Sequence, residues 1–140
     1  MKILLSVDGS PYTKRMLEYV VAHPTFLGTH HEYTIMHVVP QLPVRAAAAF
    51  DKAGLAKHYA EEAEEALGPI RAFCRTNGLN ATYVIEHGTA GDVIANRADG
   101  GGFDLLVMGS HGHGSFANLV MGSVATRVLA HCKVPVLLVR

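Results

Sequence analysis

Five short apolar runs, separated by helix-forming stretches, constrain this chain more than any other feature. They are KILLSV (2–7), EYTIMHVVP (32–40), NATYVIEHG (80–88), FDLLVMG (103–109) and VPVLLVR (134–140). Most are continuously apolar rather than alternating. A strand that reads this way is covered on both faces, which is the habit of parallel sheets. The intervening stretches predict helices. Ser10 is a candidate N-cap and Pro11 fits the first helical position, with Leu17, Val20 and Val21 on one face of a helix to about Ala22 and Pro24 stopping it. A long Ala- and Glu-rich stretch runs to about Asn77; 57–67 is strongly helix-forming, Gly68-Pro69 is expected to kink or break it, and 70–76 resumes. Residues 91–101 predict a short helix with Val93, Ile94 and Ala98 on one face, and 122–132 a last helix with Val124, Val128 and Leu129 inward. The order is βαβαβαβαβ, an α/β doubly wound sheet with helices on both faces, in one domain spanning 1–140.

Composition narrows the function. Of 140 residues, 49% are hydrophobic and 17% charged, as a packed globule requires. Twelve basic and twelve acidic residues cancel, so no overall charge draws the chain to nucleic acid or to an anionic membrane. No apolar run approaches the ~20 residues of a membrane span. No secretory signal is visible, and Cys74 and Cys132 form no C-x-x-C pair, so two buried thiols in the cytoplasm are the expectation.

In a doubly wound sheet, ligands bind outside the carboxyl ends of the strands, at the switch in strand order. That rule points to the turns after residues 7, 38 and 108. Asp8 could accept hydrogen bonds from ribose hydroxyls, or hold Mg2+, or simply cap the next helix. Gly109, Gly112, Gly114 and Gly122 lie between the fourth strand and the last helix, where glycine permits close approach or positive φ. A loop feeding a helix N-terminus is an anion site, to which Ser123 adds a hydroxyl.

Other chemistries fit less well. Gly109 and Gly114 are followed by Ser115 without the lysine of a P-loop. His111 and His113 supply two ligands where zinc wants three or four, leaving a distant third open. Ser110 is not in a nucleophile elbow, and Ser123 has no evident base. His111 could serve as a general base, or hydrogen-bond or pack on a ligand. Catalysis is therefore weakly supported, at most a slow nucleotide hydrolysis with Asp8 holding Mg2+. VPVLLV, if at the sheet edge, exposes unpaired backbone that a second copy would cover.

The spacing Gly109-x2-Gly112-x9-Gly122-Ser123 resembles the signature of ATP-binding universal stress proteins, and the resemblance extends along the whole chain, from ILLSVDGS to MGSVATRVLAHCKVPVLLVR. It implies a five-stranded parallel sheet of order 3-2-1-4-5, a homodimer paired through Val136 and Leu138 of the last strand, and a site for ATP or a related adenine nucleotide. Carried over by position, Asp8 holds the ribose with Ser6 nearby, and Val38 meets the adenine. Met108 and Gly109 flank ribose and phosphates, and Gly112, Gly122, Ser123 and Val124 serve the phosphates. His111, His113 and Gly114 complete the loop. The chain departs from the family where arginine often follows the second loop glycine: here it is His113. No Lys or Arg occurs from 109 to 126, so N–H groups, the helix end and Mg2+ are expected to meet the phosphate charge. The implied role is a regulatory or sensor module in a stress response, with protein partners unnamed. The competing readings are the slow hydrolase and a non-nucleotide stress protein acting through protein contacts.

Overall fold

Leu4, lying in the first strand with no exposed surface, has Ile3 and Leu5 beside it, equally buried but on the opposite side of the sheet. This pattern organises the computed structural model, which describes residues 1–114 and 118–140. The elements are β1 (Lys2–Val7), α1 (Pro11–Ala22), α2 (Pro24–Leu27), β2 (Glu32–Val39), α3 (Val44–Ala47), α4 (Lys52–Thr76), β3 (Ala81–His87), α5 (Ala90–Gly100), β4 (Leu105–Gly109), α6 (Ser123–His131) and β5 (Val136–Val139). The strands form one sheet of order β3-β2-β1-β4-β5, and every pairing is parallel.

Two apolar layers sandwich this sheet. On one face Ile3, Leu5, Ile35 and Val107 meet Met16, Leu17 and Val20 of α1 and Leu67, Ile70 and Cys74 of α4. On the other, Leu4, Met36, Leu106 and Met108 meet Ile94 and Ala98 of α5 and Ala125 and Val128 of α6. Neighbouring residues of a strand point to opposite faces, so both must be apolar. β3 and β5 are the edges.

Several local expectations need correction. The helix predicted to kink or break at Gly68-Pro69 is a single element of 25 residues, α4, with Pro69 inside it. Pro69 removes the N–H that would bond to Glu65, but both residues are exposed, where water can take the carbonyl. Ala63, Leu67, Ile70 and Cys74 stay buried along one stripe across the proline, and that packing holds the helix together. In α1 the inner face is Met16, Leu17 and Val20, with Val21 only half-buried; in α5 it is Ile94, Ala95 and Ala98, with Val93 half-buried. In α6 the small residue Ala125 and Val128 face the sheet, while Val124 and Leu129 are exposed. Pro24 ends α1 but starts the one-turn α2, as proline at N1 allows. Cys74 is buried and Cys132 half-buried; both are free thiols. Among the described residues, no helix is long and apolar enough to cross a membrane.

The strand order places the cleft. β1 and β4 are neighbours, but the chain leaves β1 for a helix on one face and β4 for a helix on the other. Their connections diverge at the carboxyl ends, leaving a gap between them.

Candidate functional site

The gap is a cleft of about 750 Å3. Ser6, Asp8, Val38, Met108, Gly109, His111, Gly112, His113, Gly114, Gly122, Ser123 and Val124, the residues singled out from sequence, all line it. β1 brings Ser6 and, just past its end, Asp8; β2 brings Val38; β4 brings Met108 and Gly109; α6 brings Ser123 and Val124. Val38 and Met108 belong to the second core layer, so that part of the lining is apolar and anchored. Residues 115–117 of the loop lie outside the described residues.

Asp8 is held by its own turn. Its Oδ1 accepts from the Ser10 N–H at 2.9 Å and from the Thr13 Oγ1–H at 2.8 Å, while its N–H donates to Thr13 Oγ1 at 3.0 Å. Ser10 caps α1 by accepting from the Thr13 N–H at 3.4 Å. Gly9, at φ +76°, makes the left-handed bend that this turn needs. Ser10 and not Asp8 is the cap of α1, and Asp8 braces the turn: its Oδ1 is engaged locally, and Oδ2 lies against Gly112.

The loop glycines answer to crowding more than to unusual torsions. Of the four, Gly114 alone has positive φ, at +72°. A Cβ at Gly109 would lie 2.8 Å from the Tyr12 Cβ, and one at Gly112 would collide with Asp8 Oδ2. A Cβ at Gly122 would meet the His111 Cα at 3.1 Å and the Ser110 carbonyl oxygen at 3.2 Å. The spacing is what lets the loop fold against β1 and against itself. The Gly122 N–H donates to the Ser110 carbonyl at 2.8 Å, so this N–H is engaged within the loop.

The histidines are fasteners. His111 Nε2 lies 2.8 Å from the Leu119 carbonyl, which can only accept, so Nε2 carries a proton. His111 Nδ1 is 2.8 Å from Ser110 Oγ, and in the neutral ring it accepts from that hydroxyl. The ring also packs on Tyr12, with centroids 4.9 Å apart. By the same reasoning His113 Nε2–H donates to the Asp8 carbonyl at 2.8 Å, tying the loop to the end of β1. With both ring nitrogens bonded, His111 offers no lone pair for general-base work in this conformation. The two rings bond different partners rather than a shared point, and among the described residues no three His, Cys, Asp or Glu side chains are grouped to hold a metal ion.

Sequence reasoning passed over Thr13, His37, Glu62 and Glu65, which also line the cleft. His37 is buried and its Nδ1–H donates to the Val7 carbonyl at 3.0 Å, linking the ends of β1 and β2. As the one polar residue within the buried run IMHVV, it carried a signal. Glu62 and Glu65 carried none, because the glutamates of AEEAEEAL look alike until α4 is laid over the β1–α1 turn. There Gly9 passes 3.4 Å from the Ala66 Cα, measured from where a Cβ would sit.

Comparison with known proteins agrees with this architecture. The profile of the universal stress protein family matches residues 1–140. A universal stress protein of Thermus aquaticus, encoded in the QAH/OAS sulfhydrylase 3' region, is 30% identical over 138 residues, covering 99% of this chain and 97% of the relative. Universal stress protein UspA from Lactobacillus plantarum superposes with a TM-score of 0.82 at 21% identity, over 99% of this chain and 97% of its own. Two further neighbours of the same fold were solved with ligands. One is an Arabidopsis thaliana universal stress protein family member with AMP bound, at TM-score 0.69 and 18% identity, covering 99% and 91% of the two chains. The other is a universal stress protein in complex with cAMP, at TM-score 0.60 and 19% identity, covering 100% and 96%. A whole-chain family match on a sheet of this order has one meaning: the chain belongs to the universal stress protein family.

Proposed function

We propose that this chain binds an adenine nucleotide in the cleft and acts as a regulatory or sensor module of a stress response. The observation that carries the reading is a juxtaposition. The N-terminus of α6, whose N-cap is Gly122 and has no side-chain cap, opens on the same cleft as Asp8 and the apolar pair Val38 and Met108. The first suits a phosphate, the second a ribose, the third a base. The AMP and cAMP held by two neighbours of this fold support the same ligand class. ATP, with Mg2+ offsetting part of its charge, is the family-level candidate. The engaged ring of His111 favours a binding role over hydrolysis. A second copy of the chain, paired along β5, completes the proposal.

The test has two steps. Protein purified without added ligand is denatured and the supernatant examined for adenine nucleotide, and thermal midpoints are then followed with adenosine, AMP, ADP and ATP, each with and without Mg2+. A ligand at a hundred times its Kd raises stability by about 2.7 kcal/mol, a readily visible shift. Gly122→Val places a branched side chain against the backbone of Ser110 and His111, and binding is expected to weaken at least about tenfold with the circular dichroism unchanged. A flat midpoint with every adenine compound overturns the reading.

A further inference from the structure

The cleft has an unusual balance of charge for a nucleotide site. Asp8, Glu62 and Glu65 line it, and no lysine or arginine does so among the described residues. The loop's polar groups do not make up the difference. The Gly122 N–H is bonded to the Ser110 carbonyl, His113 Nε2–H to the Asp8 carbonyl, and the His111 ring to Ser110 and Leu119. Arg127, the next cation along the chain, forms a two-pronged pair with Asp92, at 2.7 and 3.0 Å. His58, half-buried one turn earlier on α4, is 3.6 Å from Glu62, and it offsets that carboxylate only when protonated.

What faces an anion is the first turn of α6. The first bond inside that helix runs from the Thr126 N–H to the Gly122 carbonyl, so the N–H groups of Ser123, Val124 and Ala125 precede it. A helix end is equivalent to about half a positive charge. That suits one phosphate. It does not balance the further charge that a triphosphate brings into a cleft lined by three carboxylates, since like charges brought together in a partly enclosed cleft oppose binding.

Resting on the adenine reading of the cleft, we infer that it selects its ligand by charge. AMP and adenosine bind at least about tenfold more tightly than ATP free of divalent cations, and Glu62 and Glu65 of α4 set that preference. Glu65 is exposed and Glu62 half-buried, so the preference is electrostatic across solvent and weakens as salt rises.

Calorimetric titration of the full chain tests this, with adenosine, AMP and ATP, each in EDTA, at low and high salt, on the native protein and on the Glu62→Gln, Glu65→Gln double variant. The expected result is a preference for AMP of about tenfold or more at low salt, reduced at high salt and reduced in the double variant. ATP binding as tightly as AMP in EDTA overturns the inference and leaves the adenine site standing. So does a preference that the double variant does not change. Failure of AMP, adenosine and ATP alike to bind overturns the adenine reading and the inference with it.

Discussion

Thr13 shows how much of the site depends on single atoms. Its hydroxyl receives the Asp8 N–H and donates to Asp8 Oδ1, and the residue is buried. Thr13→Val keeps the shape and removes both bonds, leaving a backbone donor without its partner. We expect a loss of about 1–3 kcal/mol in urea unfolding, with weaker nucleotide binding because Asp8 is no longer aimed. Unchanged stability would mean that the turn does not need this bond. Thr13 was silent in the sequence because its partner is fixed only when the Gly9 bend forms. The glycines were legible by their spacing, but their reason was not: Gly109 and Gly112 make room for Tyr12 and Asp8, contacts that join opposite ends of the chain. The histidines drew attention as chemistry, and the structure gives them partners that make them fasteners.

At the level of elements, α5, α6 and β5 are joined by two aspartates. Asp92 of α5 pairs with Arg127 of α6, and the Arg127 hydrogen bond holds its carboxyl below the ordinary value of 3.8. Asp99 accepts from the Lys133 and Val134 N–H groups at 2.9 and 3.2 Å, anchoring the approach to β5, and the Lys133 bond likewise lowers its pKa. A carboxyl lowered in the folded state adds stability above its unfolded pKa and loses it as pH falls through the folded one. Asp92→Asn should therefore lower the thermal midpoint at neutral pH, and the gap to the native protein should close below about pH 3.8. A gap that stays constant into acid would contradict this pairing. The elements themselves were legible because strands covered on both faces read as unbroken apolar runs. The inner faces of α1, α5 and α6 were misread in part, and α4 was expected to kink or break. In α6, Val124 and Leu129 are exposed, because hydrophobicity alone does not rank a valine against Ala125 for the place against the sheet. In α4, Pro69 looked like a break, and only the buried stripe on either side of it shows why the helix continues.

For the whole molecule, the open question is what covers the β5 edge. The Leu106 N–H donates to the Pro135 carbonyl and the Ser110 N–H to the Val139 carbonyl, so 135 and 139 point their carbonyls at β4. By alternation, the backbone groups of Val136 and Leu138 point outward. An uncovered edge of this kind invites pairing with another strand. The proposed homodimer through β5 predicts that light scattering finds a dimer for the native chain and a monomer for Leu138→Pro, which removes an outward N–H. A native protein that stays monomeric at micromolar concentration would contradict it. The cleft opens at the carboxyl ends of the same sheet. Equilibrium dialysis of labelled AMP against the native chain and Asp8→Ala, with circular dichroism confirming that both are folded, tests the central claim most directly. The account predicts saturable binding of one AMP per chain, weakened at least about tenfold by Asp8→Ala; no retention by the native protein, or retention that Asp8→Ala leaves unchanged, would contradict it.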